Sequence, residues 1–231
     1  MKRILSILVV MLMIHGAAAQ PRLREAEVSL GFHAGVQAAS IDFYPAIPHM
    51  TPLTRACTLA PDGGIVFRYS KHKNCALQVE LNYQQRGWRE SFAGNDSVAA
   101  VSYSRRLHYI ELPILMHVYV GKKAFRGYIT AGPELGYCFY DDLGKGDKQN
   151  TETHQYASIT HRFDWGVGGG IGMLVKTQQA GTYQLEARFM YSLGTIYAST
   201  ATDYFRKSHA MMLSLNVGWL WDFKPVAKKK K

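Results

Sequence analysis

The sequence predicts an all-β protein, an eight-stranded antiparallel up-and-down transmembrane β-barrel. Three observations point to it. Segments in which apolar and polar residues alternate recur along the chain, which is the period-two signature of strands. The connections between them alternate short and long, as in outer-membrane barrels with tight periplasmic turns and longer extracellular loops. The N-terminus reads as an export signal, and no later run is long and apolar enough for a spanning helix, so embedding in a membrane requires strands.

Lys2 and Arg3 form a positive start, residues 4–14 an apolar run, and Ala17, Ala18 and Ala19 a small-residue cleavage site. This is the pattern of a secretory signal peptide, 1–19, with the mature chain beginning at Gln20. The run is shorter than the about 20 apolar residues of a membrane anchor. No cysteine follows the cleavage site, which argues against a lipoprotein. The remainder divides into a barrel domain, 20–223, and a basic tail, 224–231.

The first strand is expected over 28–38, with Val28, Leu30, Phe32, Ala34 and Val36 on one face and Ser29, His33 and Gln37 on the other. Residues 41–62 hold four of the eight prolines and read as a large loop. A short second strand, 64–69, leads through the turn 70–74 into a third, 76–88, where Leu77, Val79, Leu81 and Tyr83 oppose Gln78, Glu80, Asn82, Gln84 and Arg86. A loop over 91–100 follows. Strands four and five, 107–119 and 125–137, form a hairpin about the turn 121–123. A long polar loop, 141–158, precedes strand six, 160–176, and the turn 177–181 leads into strand seven, 182–193. The loop 195–207 then precedes the eighth strand, 209–223.

A membrane barrel turns its apolar face to lipid and its polar face to the lumen. Ile114, Met116, Trp165, Leu215, Trp219 and Trp221 are the expected lipid-facing residues. Tyr69, Tyr119, Phe139 and Tyr191 join Trp219 and Trp221 as aromatics near strand ends, suited to the girdles at the two interfaces. The expected lumen charges are Glu80, Arg86, Glu111, Glu134, Arg162, Asp164, Glu186 and Arg188, with His117 nearby. An eight-stranded interior is just wide enough for side chains to fill. Such a set can serve as a proton or ion path, or as an ionic core that holds the barrel closed. The cost of unpaired buried charge favours the core.

The chain carries a formal charge of +10, or +8 once Lys2 and Arg3 leave with the acid-free signal peptide. Many of its cations lie in short turns and in the tail rather than in one patch, so nucleic acid is not an expected partner. Outer-membrane lipid and lipopolysaccharide are the expected partners for these cations. Three cysteines, Cys57, Cys75 and Cys138, are an odd number without C-x-x-C spacing, which does not make a disulfide framework. The glycine run over 166–172 lacks the Lys-Ser/Thr of a phosphate loop, and its glycines fall mostly on the inward face, where they make room for neighbouring side chains. His154 and His161 lack the partners of a metal site, and no local nucleophile–base–acid grouping is present. No cofactor, metal or catalytic residue is expected, and the protein does not read as an enzyme. Binding would fall to the loops 41–62, 141–158 and 195–207.

Five stretches, 76–87 (ALQVELNYQQRG), 109–115 (YIELPIL), 131–137 (AGPELGY), 163–166 (FDWG) and 185–191 (LEARFMY), resemble the PorT-like family of small outer-membrane β-barrel proteins of Bacteroidetes-type bacteria. The chain departs from a usual terminal barrel strand by running past Phe223 into KPVAKKKK. The resemblance implies location in the bacterial outer membrane. Through the family's name-giving member it also implies an accessory role in type IX protein secretion, with other secretion-system proteins as partners. A small passive porin or transporter and a structural or adhesive OmpA-type barrel are the alternatives.

Overall fold

The computed structural model describes residues 27–45, 54–72, 74–92, 101–122, 124–143, 159–177, 180–197 and 205–223. The expected signal peptide, the basic tail, His154 and much of the three long loops lie outside the described residues. The elements are β1 (Glu27–Pro45), β2 (Thr54–Ala56), β3 (Thr58–His72), β4 (Cys75–Phe92), β5 (Val101–Lys122), β6 (Phe125–Leu143), β7 (Phe163–Lys176), β8 (Thr182–Ser192) and β9 (Phe205–Phe223).

Each long strand pairs antiparallel with the one before it, and β1 pairs with β9 to close the sheet. β2 is the upper end of β3. Both pair with β4, but Ala56 opposite Arg89 and Asp62 opposite Gln84 differ in register by one residue, the mark of a bulge at the break. The barrel therefore has eight staves in the order β1, β3, β4, β5, β6, β7, β8, β9. Closure leaves no edge strand unpaired through the middle of the barrel, as lipid requires.

The loop expected over 41–62 is a correction. β1 continues to Pro45, strand structure resumes at Thr54, and the short second strand becomes the 15 residues of β3. The prolines punctuate this stretch as a loop, yet Leu59 and Pro61 face outward while Ala60 and Asp62 face inward, so the alternation persists through it. β5 likewise begins at Val101, and β9 at Phe205. These upper extensions escape the pattern because apolar residues such as Ile41 turn inward there while polar ones such as Asp42 turn outward, the reverse of the wall below. β7 and β8 are the short staves, and beside them residues 193–197 fold back over the mouth. Thr160 and His161 donate backbone hydrogen bonds to the Ile196 carbonyl at 3.2 and 3.1 Å.

The short connections β3–β4, β5–β6 and β7–β8 lie at one end with the start of β1 and the end of β9, where Val28 pairs with Phe223. Two of these turns use residues in the left-handed region that favours glycine, Gly121 with φ 123° and Gly181 with φ 83°. The strand ends that lead into the four longer connections lie at the opposite end.

Below the long-loop end the outer wall is apolar from β1 round to β9. Met116, Trp165, Leu215 and Trp221 are exposed on it, and Ile114 and Trp219 are half-exposed. Tyr69 and Phe139 are exposed there and Tyr191 partly so, but Tyr119 is not a girdle residue. It points inward and packs with Tyr128, Ala76 and Leu174. Its odd register places it on the lumen side with Glu111 and His117, and that parity outranks its aromatic character. Leu215, 52% exposed, sits midway along β9. Replacing it with arginine should cost about 2–4 kcal/mol, the penalty of a cation near the bilayer midplane. Denaturant unfolding from liposomes measures this, and a cost under about 1 kcal/mol would mean that Leu215 is not lipid-facing.

Candidate functional site: a filled ionic lumen

Strand parity delivers the polar faces to the axis, and glycines decide how far side chains reach. A Cβ on Gly168 would collide with the Glu134 carboxyl, and one on Gly172 would collide with the Tyr128 ring. The bare backbone of β7 thus seats large groups from β6.

The lumen fills in layers. At the long-loop end an apolar cluster gathers Ile41, Trp88, Leu107, Tyr109, Cys138 and Tyr197. Arg105 is level with Trp88 on the long-loop side of this cluster, its Nε donating to Asp141 at 2.8 Å and its Nη1 to the Tyr197 hydroxyl at 2.9 Å. In the next layer Arg86 pairs with Glu111 and Asp164. Its guanidinium lies 4.2 Å from the centre of the Tyr109 ring, and the Ser192 hydroxyl donates to Asp164.

The central layer is the most connected. Arg188 binds both Glu80 oxygens, at 2.7 and 2.8 Å, and donates from Nε to Glu186 at 2.8 Å. Asn82 donates to Glu80 at 2.8 Å and lies 2.8 Å from His33 Nε2. The Tyr128 hydroxyl donates to Glu186 at 2.9 Å. Below it Arg68 donates from Nε to Gln78 at 2.7 Å and also reaches Gln184. At the short-turn lip Asp222 accepts from Ser29 at 2.6 Å and Thr182 at 2.7 Å, which ties β1, β9 and β8 together.

Of the residues expected in the lumen, Glu80, Arg86, Glu111, Asp164, Glu186 and Arg188 meet in these layers. Glu134 is buried among them, and its Oε1 has no hydrogen-bond partner among the described residues. His117 is buried and stacks near Tyr128, with ring centroids 5.0 Å apart. Arg162 is a correction. It lies before β7, is exposed, and donates to the Phe139 carbonyl at 3.4 Å. The lumen ladder ends at Asp164, so parity does not carry over to Arg162.

Arg68, Asp62, Arg105 and His33 are lumen residues that the charge reading missed. Arg68 and His33 lay on strands that sequence pattern did identify, on faces whose parity was legible. Asp62 fell in the supposed loop, and Arg105 lay before the expected start of its strand. The three cysteines are free.

A closed barrel with an apolar wall and a polar, side-chain-filled interior is an integral protein of the bacterial outer membrane. Residues 18–198 match the family model described as outer membrane protein beta-barrel domain, and the chain belongs to that family. No curated protein matches the sequence. Among solved structures, the outer membrane protein OprG from Pseudomonas aeruginosa is similar at 15% identity, with a TM-score of 0.53 over 88% of this chain and 98% of that one. Neisserial surface protein A is similar at 15% identity and a TM-score of 0.40, over 85% of this chain and 99% of that one. Ail of Yersinia pestis, solved with the heparin analogue sucrose octasulfate, is similar at 10% identity and a TM-score of 0.40, over 86% and 100%. The OprG likeness shows the fold.

Removing one partner of a buried ion pair leaves the other uncompensated, at a cost of about 3–5 kcal/mol. Arg188→Met should therefore destabilise the barrel by about that much, and adding Glu80→Gln should recover part of the loss. A double-mutant cycle on unfolding free energies checks this, and strictly additive effects would show that the two side chains do not interact.

Proposed function

We propose that this barrel is neither a channel nor an enzyme, and that it serves as an accessory component of protein secretion across the outer membrane, of the PorT type in type IX secretion. The observation that carries the first half is the pairing of Arg188 with Glu80. β8 and β4 are four staves apart in a barrel of eight, so this bidentate pair spans the diameter. The Arg86 layer above it joins β4 to β5 and β7. Two such layers leave no room for an extended polypeptide, and their charges gain more from each other than from a water column. Glu80, Arg86, Glu111, Asp164, Glu186 and Arg188 are engaged as ion pairs rather than as a nucleophile beside a base, which supports a non-enzymatic reading.

The secretion half rests on the resemblance of five strand segments to the PorT-like family. On this reading cargo does not pass through the lumen. The barrel instead meets other secretion proteins through its loops, outer wall or short turns.

One observation favours a second reading. Six buried carboxylates, Asp62, Glu80, Glu111, Glu134, Asp164 and Glu186, share the lumen with the four buried guanidiniums of Arg68, Arg86, Arg105 and Arg188. That excess of negative charge would suit a narrow cation-selective pore. A structural or adhesive barrel is the remaining alternative.

The wild-type protein reconstituted in planar bilayers should give no steady single-channel currents, and steady cation-selective currents would replace this reading with the pore. Deletion of the gene should strand secreted cargo in the periplasm, whereas unaltered secretion would leave a structural or adhesive barrel.

A further inference from the structure

The apolar wall is interrupted on one side. On the outer face of β4 and β5, towards the long-loop end, Arg89 and Arg106 are both exposed. Arg89 stands opposite Ser104, and Arg106 stands opposite Gly87, so the two arginines are diagonal neighbours across one ladder. Such positions are roughly 7–8 Å apart, within the span of two long side chains converging on one group. The residues around them are small. Gly87 has no side chain, Ser104 a short one, and Ala56 is the partner of Arg89 on its other side. One carboxylate, Asp142, faces Arg106 from β6, so the local balance is two guanidiniums to one carboxylate.

One rung nearer the bilayer the wall is polar and tied in place. Gln85 pairs with His108 across the ladder. The Tyr83 hydroxyl lies 2.7 Å from His108 Nδ1 and accepts from Gln85 Nε2 at 2.7 Å. Phe139 and Tyr140 pack on the His108 ring, with centroids 6.2 and 5.2 Å away. Below that rung the same strands present Leu81, Ile110, Leu112 and Met116. The corresponding upper wall of β1 and β9, two or more staves away, offers Ser40, Asp42 and His209 instead.

We propose that Arg89 and Arg106 form a phosphate clip for a phosphorylated lipid headgroup of the outer leaflet. Guanidinium groups suit phosphate oxygens because their fork of N–H donors matches them in pairs. The Tyr83–His108–Gln85 network offers polar groups to a sugar or glycerol next to the phosphate, and the apolar strip beneath takes the acyl chains. A free phosphate ion would use the arginines alone. A lipid uses all three levels, which stand in the order of a lipid's own parts.

The test uses the full-length protein in phosphatidylcholine nanodiscs, with diphosphorylated lipid A as the probe. R89Q/R106Q should bind it about tenfold more weakly than wild type, as loss of a charge-assisted hydrogen bond would give. R106Q alone should fall between the two. Wild type should bind dephosphorylated lipid A as weakly as the double variant binds the phosphorylated form. K71Q, at the short-turn end, should bind like wild type. Heat-modifiability on gels confirms that each variant is a folded barrel. Undiminished binding by R89Q/R106Q would overturn the proposal, as would equal binding of both lipid forms. Full displacement of lipid A by inorganic phosphate alone would show a site for the free ion and would also overturn it.

Discussion

The ion pair between Arg188 and Glu80 is the constraint on which the rest of the interior depends. Its two ends belong to opposite staves, so it sets the width of the barrel at its middle. A guanidinium in so dry a place is tolerable only when its donors are used, and here Nε, Nη1 and Nη2 each meet a carboxylate. The neighbours follow from that requirement. Asn82 and Gln78 supply Glu80 with further donors, His33 braces Asn82, and Tyr128 supplies Glu186. In turn Tyr128 needs the empty face of Gly172. The bare face of Gly172 is thus a consequence of a charge pair whose arginine sits on the next stave.

Much of the barrel was legible in the sequence because its two environments differ so sharply. Leu213, Leu215 and Val217 meet lipid while Ser214 and Asn216 meet the lumen, and period two records that difference directly. Where both faces meet water or protein the record fades. The upper parts of β1, β2 and β3 went unread for this reason, and Asp62 with them. Tyr119 is misplaced in the girdle for another reason. An aromatic ring suits both a membrane interface and the packed interior of a narrow barrel, and parity alone decides.

Pairings across the lumen were beyond the sequence. It marked Glu80 and Arg188 as inward, but their meeting depends on stave number and on the stagger of the ladders. Arg86 could have paired with any carboxylate near its height. It takes Glu111 from the adjacent stave and Asp164 from one three staves on, beside Gly136, whose bare backbone faces Arg86 and Glu111. The failure at Arg162 has the same origin in reverse. Parity holds only as long as the strand does, and β7 starts one residue later.

The seam between β1 and β9 runs from Val28 against Phe223 to Pro45 against Phe205. It joins the first strand of the chain to the last. Until β9 is in place, β1 and β8 each present a free edge of backbone polar groups, which hydrocarbon cannot satisfy. A partly translated or truncated chain is therefore not a smaller barrel but an open sheet that lipid rejects. Insertion into the membrane has to be a late, concerted event, in which the strand made last completes the hydrogen bonding of the strand made first.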